Sequence, residues 1–378
     1  DVLREMVAGA GDYAEIREAL LEEGPLLAIV GRTGLGEDPR LAEAVASFVR
    51  DLPDGSVMPL ARRGNVMGAL DMGLAPTLLP GRVSESTAHE TLEAEWGPLP
   101  EGLGRHATSI FEGLRDGDLQ ALIMVGTDPV RDHAEPELAA AGIAAADFSV
   151  SLDHFITDSS ALADVILPVS GFAEVEGTVT NIEGRVQKVN RLVPSPGQTR
   201  ETWSVLDDLA RRMGGDLGAT SAAAMGKEIA TVAPAYRGVT WDALDWGDGR
   251  EGLLLPLEAG EQKLEYIPVD GNLSSVSARF GLHLGRVMYD DGVRVRMSPS
   301  LAQLAPAAAV YLNAAEIAAL GVEPGSTVVI EGDAGSVELP VEVDNSLGNG
   351  SAYVPANLPA TRALGASVAV AITPGGEA

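Results

Sequence analysis

The chain contains no cysteine, and this one fact removes several ways of holding a fold together. Within these residues there can be no disulfide framework, no thiolate zinc site, no cysteine nucleophile and no cysteine-held iron–sulfur cluster. The five histidines are scattered, and no two of them have the i, i+3 or i+4 spacing of a helical metal site. We therefore expect apolar cores to stabilise the fold, and no metal centre within the chain.

The charge of the chain is strongly one-sided. Its 378 residues include 26 Lys and Arg against 55 Asp and Glu, which gives a net charge of −29. Such a chain is repelled by phosphate backbones and anionic lipid, so nucleic-acid binding and docking on a membrane surface are excluded. The longest uncharged Ala-rich run, 138–146, is too short to span a bilayer, so we expect no direct membrane insertion. Since the sequence opens at Asp1 without Met or signal peptide, we expect a fragment.

Residues 1–152 alternate between two periodicities, which is typical of an α/β region with a parallel sheet and helices on both faces. The predicted helices are Tyr13–Leu21, Asp38–Val49, Arg105–Leu114 and Glu135–Ala141. The predicted strands are Leu26–Val30, Val57–Leu60, Leu119–Val125 and Ala146–Leu152.

The rest of the chain divides into a return segment of the same region, 153–270, and a C-terminal domain, 276–378. The return segment has a strand at Val165–Leu167, a helix at Glu201–Met213, a low-complexity Ala/Gly stretch and a loop at Trp241–Gly249. A linker is predicted at Ile267–Ser275. The C-terminal domain shows many short β runs and a single helix, Ala314–Leu320, which indicates a closed β-barrel.

Three motifs are candidates for chemistry. The strand before Gly126 ends in Gly-Thr-Asp-Pro, where a glycine would let a ligand approach the backbone. Taken alone, this motif favours an ordinary strand-to-loop turn. The loop 31–36 has neither the G-x-G-x-x-G spacing nor that of a Walker motif, the two phosphate-binding patterns, so a plain turn is favoured. Glu174 and Glu176 suggest acid/base chemistry, but we favour a structural ion-pair network with Arg185.

The stretch from Asp153 to Gln187 resembles the signature of the molybdopterin oxidoreductase superfamily. The matching positions are Asp153, Thr157, Ala163 to Pro168, Glu174, Gly177, Thr178, Asn181, and Glu183 to Gln187. The family's Gly-x-(Asn/Asp)-Pro strand end resembles Gly126, Asp128 and Pro129. The C-terminal part, 310–350, resembles the family's dinucleotide-binding barrel. This resemblance implies parallel sheets with flanking helices followed by a double-psi-type β-barrel.

Within the superfamily, three blocks resemble the G-subunit family of bacterial NADH–quinone oxidoreductase, respiratory complex I. They are 62–65 before Gly68, the turn 79–82, and 96–100 with Gly104. This resemblance implies a structural support for iron–sulfur domains that precede the chain and carry electrons from NADH toward quinone. It further implies other peripheral-arm subunits as partners, in a translocase on the cytoplasmic side of the bacterial inner membrane. The chain alone is then not catalytic and holds no cofactor.

One departure from the superfamily lies at the start of the barrel. In active molybdenum enzymes the barrel starts with Gly-Arg-Val, and a His- and Thr-rich run comes next. Here the same start, which contains Arg286, is followed by Met-Tyr-Asp-Asp-Gly. Two carboxylates beside a pyrophosphate would repel it. We therefore expect a vestigial cofactor cleft, without catalytic or metal-binding residues, formed by Gly126, Asp128, Pro129, Asp153, Thr157 and Arg286.

Two other functions remain open from the sequence. The first is an oxidoreductase of the formate dehydrogenase type that depends on molybdopterin guanine dinucleotide, in which Gly126, Asp128, Asp153 and Thr157 would line a guanine-nucleotide site. The second is a free-standing interaction module. Stoichiometric molybdenum in the full-length protein would favour the first, and a folded protein that never co-purifies with respiratory subunits would favour the second.

Overall fold

The structure, a computed structural model, describes most of the chain. The described residues are 13–22, 25–31, 45, 49, 55–61, 63–83, 92–99, 102–245, 251–256, 279–365 and 367–376. They form two parallel sheets with helices, one antiparallel sheet and one closed barrel. The predicted fold class is confirmed.

The first sheet pairs two parallel strands next to one helix. The helix is α1, Ala14–Glu22, and the strands are β1, Leu27–Gly31, and β2, Ser56–Leu60, with Leu27 opposite Ser56. Leu20, Leu21, Leu26 and Ala28 pack around the buried Val49. Apart from residues 45 and 49, the predicted helix Asp38–Val49 lies outside the described residues, as does most of the loop 31–36.

The second sheet has three parallel strands, β3, β4 and β5, and carries most of the resemblance motifs. The strands are β3, Ala121–Val125, β4, Phe148–Asp153, and β5, Val165–Pro168. Three helices belong to this sheet: α3, Ala107–Arg115, α5, Pro136–Ala145, and α6, Thr202–Arg212, while the short α4 is Pro129–Asp132. One cluster on Phe111 and Met124 joins β3 to α3 and α5, and a second on Leu152 and Val205 joins β4 to α6. β4 is buried on both faces, whereas β3 and β5 keep exposed apolar side chains such as Ile123 and Ile166.

The antiparallel sheet contains β6, Gly177–Thr180, β7, Arg185–Val189, and the short β8, Leu253–Leu254. Glu174 does not join Arg185: it accepts the Gly171 backbone N–H at 2.8 Å, and Arg185 pairs with Glu183 at 3.3 Å. The expected network therefore reduces, among the described residues, to one ion pair.

A buried polar group ties this sheet to the preceding helix α2, Val66–Asp71. The Asp71 carboxylate, on a residue that is 5% exposed, accepts a hydrogen bond from the Tyr236 hydroxyl at 2.7 Å and lies 2.6 Å from Nε of Arg82. The Thr180 hydroxyl lies 2.9 Å from the same Tyr236 hydroxyl. Burial, opposed by the Thr180 hydrogen bond and reinforced by Asp71, raises the pKa of Tyr236 well above its usual value, so its hydroxyl stays protonated.

The turn 79–82 positions Arg82. Arg82 has φ +56°, and Gly81 has φ +93°, with its Cα so close to the chain that a Cβ would lie 3.3 Å from the Cα of Ala233. A left-handed turn of this kind favours glycine at the tightest point. The turn therefore directs the Arg82 guanidinium back onto Asp71.

Within the described residues the barrel contains the strands β9, Phe280–Arg286, β10, Val310–Leu312, β11, Thr327–Gly332, β12, Ser336–Val343, β13, Ser351–Ala356, and β14, Ala369–Pro374. Around the barrel they follow the order β10, β12, β11, β14, β9, β13, and the barrel closes where β13 meets β10 at Tyr353 and Tyr311. Alternate residues such as Val337, Leu339 and Val341 point inward onto a core that includes Phe280. β9 and β13 are parallel and end together, at Arg286 and Ala356.

Four helices belong to the remaining parts: α7, Ala222–Val232, α8, Trp241–Asp245, α9, Val293–Arg296, and α10, Pro299–Ala302; the helix beside the barrel is α11, Ala314–Leu320. The stretch predicted as low complexity is α7, because Ser221 accepts the Ala224 N–H and caps a run of strong helix formers. Part of the predicted loop at Trp241–Gly249 is α8, held by an ion pair of 2.6 Å between Lys188 and Asp245. The predicted linker Ile267–Ser275 lies outside the described residues.

Candidate functional site

The carboxyl end of β3 carries the Gly-Thr-Asp-Pro motif. Gly126 has φ +57°, and no atom of the described residues beyond its chain neighbours lies within 4 Å of the place where its Cβ would stand. Asp128 is 1% exposed, and its Oδ1 accepts hydrogen bonds from the backbone N–H of Ser159 at 3.1 Å and from the Ser159 hydroxyl at 2.7 Å. Pro129 then begins the short α4. The motif thus opens the backbone at Gly126 and fixes the loop that follows β4.

Asp153 and Thr157 shape that second loop from within. Oδ1 of Asp153 accepts the backbone N–H groups of His154 at 2.7 Å and of Phe155 at 3.4 Å. The Thr157 hydroxyl accepts the Ser160 N–H at 3.0 Å, and the Ser160 hydroxyl accepts the Thr157 N–H at 2.7 Å. These two sequence-predicted residues therefore lie in the same loop as Ser159 but bond to backbone.

The barrel reaches this edge of the sheet with a chain of ion pairs. Arg286, the last residue of β9, donates to Asp290 from Nε at 2.8 Å and lies 3.1 Å from Asp132 of α4. Asp291 accepts from both Arg131 of α4 and Arg362 of the barrel. Arg131 further contacts Asp158 at 2.5 Å, in the loop after β4. The barrel and the sheet are thus joined through charged groups.

Arg296 of α9 completes the set. Its Nη1 lies 3.4 Å from Asp158, and its Nη2 lies 3.6 Å from Oδ2 of Asp128. We call the whole group the junction cluster; among the described residues it contains Arg131, Arg286, Arg296, Arg362, Asp128, Asp132, Asp158, Asp290 and Asp291. Since the cluster has one more aspartate than arginines, it neutralises its own cations and carries a residual negative charge.

The electrostatics keep both signs ionised. Partial burial raises the pKa of Asp158, but hydrogen bonds and charges from Arg131 and Arg296 outweigh it, so the pKa lies below the usual value. Burial also lowers the pKa of Arg131, and the neighbouring Asp158, Asp291 and Asp128 outweigh that effect and raise it. We therefore expect Asp158 to stay deprotonated and Arg131 to stay protonated near neutral pH.

Two matches with known families decide what this architecture is. Residues 41–212 match the family described as molybdopterin oxidoreductase, and residues 283–376 match the “molydopterin dinucleotide binding domain”. Together they cover both the three-stranded sheet and the barrel. The chain belongs to the molybdopterin oxidoreductase superfamily. The coarse part of the expected family assignment is thus confirmed.

Curated relatives of this superfamily fall into more than one class. The chain is 31% identical to the NADPH-Fe(3+) oxidoreductase subunit alpha of Geobacter sulfurreducens over 286 residues, which are 75% of this chain and 32% of that protein. It is 26% identical over 375 residues to the second NADH-quinone oxidoreductase G subunit of Rhizobium meliloti, covering 94% of this chain and 42% of the relative. It is 29% identical to F420-dependent formate dehydrogenase 2 subunit alpha of Methanococcus maripaludis, covering 80% and 48%.

The solved structure of acetylene hydratase from Pelobacter acetylenicus has the same fold, with a TM-score of 0.50 and 18% identity over 74% of this chain and 45% of that one. The chain spans between a third and a half of the length of its curated relatives. No helix in the described part of the chain is long and apolar enough to cross a membrane. No group of three potential metal ligands converges within the described ranges either.

Domains of these two types point to binding of a molybdopterin dinucleotide, so we tested whether the junction residues of this molybdopterin-type chain fit one. The cavity between α4 and the barrel has a volume of about 40 Å³ and is lined by Arg131, His133, Arg286, Asn357 and Arg362. Because this pocket is open to solvent, the charges of its lining, rather than its volume, decide whether a dinucleotide fits. The arginines that would hold a pyrophosphate are already paired with Asp290 and Asp291. The residues present do not fit the dinucleotide.

The sequence identified only part of this site. It named Asp128 and Arg286 and noticed the Asp290–Asp291 pair, which the structure places in the junction cluster. It missed Arg131, Arg296 and Arg362. A usable signal was present for one of them, because Arg131 follows the strand end Gly-Thr-Asp-Pro by two residues, where ligands of parallel sheets bind.

Proposed function

We propose that the chain is a structural part of a large oxidoreductase subunit, of the G-subunit type found in NADH–quinone oxidoreductase. In this role it supports iron–sulfur domains that carry electrons from NADH toward quinone, and it holds no pterin itself. The observation that carries the proposal is the junction cluster, in which aspartates of the chain form ion pairs with the arginines of the cleft. A cleft whose arginines are neutralised by aspartates can join the sheet to the barrel, but it no longer attracts an anion.

The extent of sequence similarity supports the same proposal. The similarity to the Rhizobium meliloti G subunit runs along 94% of the chain, whereas that to the formate dehydrogenase of Methanococcus maripaludis runs along 80%. The partners in this proposal are other peripheral-arm subunits, and the location is the cytoplasmic face of the bacterial inner membrane. The domain limits 1–152, 153–270 and 276–378 belong to the same proposal.

A specific observation favours the second candidate, a formate dehydrogenase-type enzyme with molybdopterin guanine dinucleotide. Several buried polar atoms of the cluster make no hydrogen bond to any residue that the structure describes: Oδ2 of Asp128, Nε and Nη2 of Arg296, and Nε of Arg362. Together with the open backbone at Gly126, these are the atoms that a nucleotide would have to use in this candidate. In that candidate, Gly126, Asp128, Pro129, Asp153, Thr157 and Arg286 would be the binding residues rather than remnants.

Co-purification separates the two candidates. The full-length protein that contains this chain, affinity-tagged in its own organism, should be isolated from detergent-solubilised membranes. We expect it to bring down an assembly that oxidises NADH with a quinone acceptor, and to show no formate oxidation. Isolation of a formate-oxidising protein without NADH–quinone activity would replace the proposal by the second candidate. Isolation of the protein alone, without either activity, would favour the free-standing module and would also contradict the proposal.

A further inference from the structure

The carboxylate of Asp290 is held in a cradle of donors. Its Oδ2 accepts Nε and Nη2 of Arg286 at 2.8 and 2.7 Å and the amide of Asn357 at 3.0 Å, and its Oδ1 accepts the backbone N–H of Gly292 at 2.8 Å. A Cβ at Gly292 would stand 2.8 Å from that Oδ1. Glycine at this position therefore lets the backbone close onto the anion. Asp290 is only 7% exposed.

The next residue fills a second donor set beside the first. The Asp291 carboxylate accepts from the guanidinium groups of Arg131 and Arg362, and its side chain is 18% exposed. The backbone N–H of Asp291 donates to the carbonyl oxygen of Asn357 at 2.9 Å, which fixes the position of the loop. Two consecutive carboxylates thus enter two adjacent donor sets from the same loop.

Donor groups of these kinds also occur in diphosphate sites. Arginine side chains, a backbone N–H beside a glycine and a side-chain amide are the groups that recognise linked phosphates in proteins. The contact between Gly292 N–H and Asp290 Oδ1 is an Asx turn like the one at Asp344, so the likeness to a diphosphate site rests on the arginines and on Asn357. Two adjacent anions on one short loop also match the two linked charges of a diphosphate more closely than a single salt bridge does.

We propose that Asp290 and Asp291 are an internal substitute for a diphosphate: the barrel keeps a donor set for this class of ligand, and the chain itself fills it. The inference deepens the proposed function, since it assigns the residues that close the cleft, and in that respect rests on it. It goes further by stating that removal of the two carboxylates restores an anion site. The ligand class is an inorganic or organic diphosphate.

The test uses inorganic pyrophosphate, measured by isothermal titration calorimetry on the purified protein. We expect the Asp290→Ala/Asp291→Ala variant to bind pyrophosphate at least roughly tenfold more tightly than the parent, because the five donor groups named above lose their internal anions. Adding Arg362→Met to that variant should abolish the gain. The matched control is Glu342→Gln/Asp344→Asn, which removes two charges at the opposite end of the barrel and should bind like the parent.

A double variant that binds no more tightly than the parent or the control overturns the inference, as does a gain that survives Arg362→Met. If the double variant does not fold, Asp291→Ala alone should show a rise of the melting temperature with pyrophosphate that the parent lacks, and absence of that rise overturns the inference. A parent that already binds pyrophosphate as tightly as the variant also overturns it. None of these results depends on co-purification, so failure of either proposal is distinguishable from failure of the other.

Discussion

Replacing Arg82 by Met is expected to lower the free energy of unfolding by about 3 kcal/mol. This is the low end of the range for removing one partner of a buried ion pair, because Asp71 is buried but the Arg82 side chain is 34% exposed. The Asp71 side chain is 7% exposed. In the variant its carboxylate would still accept the hydrogen bond from the Tyr236 hydroxyl but would lose the ion pair with Arg82. Met preserves most of the apolar stem, so the loss is electrostatic rather than a packing defect. Urea unfolding of the purified protein, followed by circular dichroism, measures the change.

The matched control for this variant is Arg212→Met. Arg212 is 75% exposed and lies 3.5 Å from Asp208 across one helical turn, so its removal should leave the urea midpoint unchanged. A second variant separates the ion pair from the turn: Asp71→Asn in the Arg82→Met background should recover a large part of the loss, because no buried charge then remains. Equal destabilisation by Arg82→Met and Arg212→Met would show that the Asp71 group does not stabilise the fold.

Replacing Arg131 by Met is expected to lower the free energy of opening the contact between sheet and barrel by about 2 kcal/mol. Arg131 is 17% exposed and contacts Asp158 and Asp291, so its loss leaves Asp291 with Arg362 and Asp158 with Arg296. The expected cost is below that at Arg82 because the Asp158 side chain is 42% exposed and remains partly hydrated. Hydrogen exchange at the backbone amides of 286–296, detected by mass spectrometry, reports the opening of this contact.

A double-mutant cycle makes the prediction specific to the contact. Arg131→Met and Asp291→Asn together should cost less than the sum of the two single changes, because the second removes the charge that the first exposes. Arg115→Met serves as the control, since Arg115 pairs only with its exposed neighbour Asp116 among the described partners and should leave exchange at 286–296 unchanged. Additive effects would mean that Arg131 and Asp291 are not coupled.

The sequence predicted the elements whose signal is local. Apolar runs gave β3, β4 and β5, and alternation gave β11 and β12 of the barrel. It missed β9, because Phe280–Arg286 contains two glycines and forms through parallel pairing with β13, about 70 residues further along the chain. It also missed α7, where the Ala-rich composition was a helix signal that we interpreted as low complexity.

The candidate site divides in the same way. The Gly-Thr-Asp-Pro motif and the Asp290–Asp291 pair stand in contiguous sequence and could be recognised there. The partners of those aspartates could not, because Arg131 and Asp291 are 160 residues apart and meet only when the barrel packs on the sheet. Local sequence thus indicates that carboxylates occupy the cleft, and the tertiary structure identifies the cations that hold them.

The pterin and metal content of the full-length protein tests the central claim most directly. The protein purified from its own organism should be analysed for molybdenum and tungsten by mass spectrometry, and for released pterin and guanine nucleotide by chromatography. If the junction cluster closes the cleft, pterin dinucleotide and either metal should be far below one per chain. One or more dinucleotides per chain, with stoichiometric molybdenum or tungsten, would contradict the account.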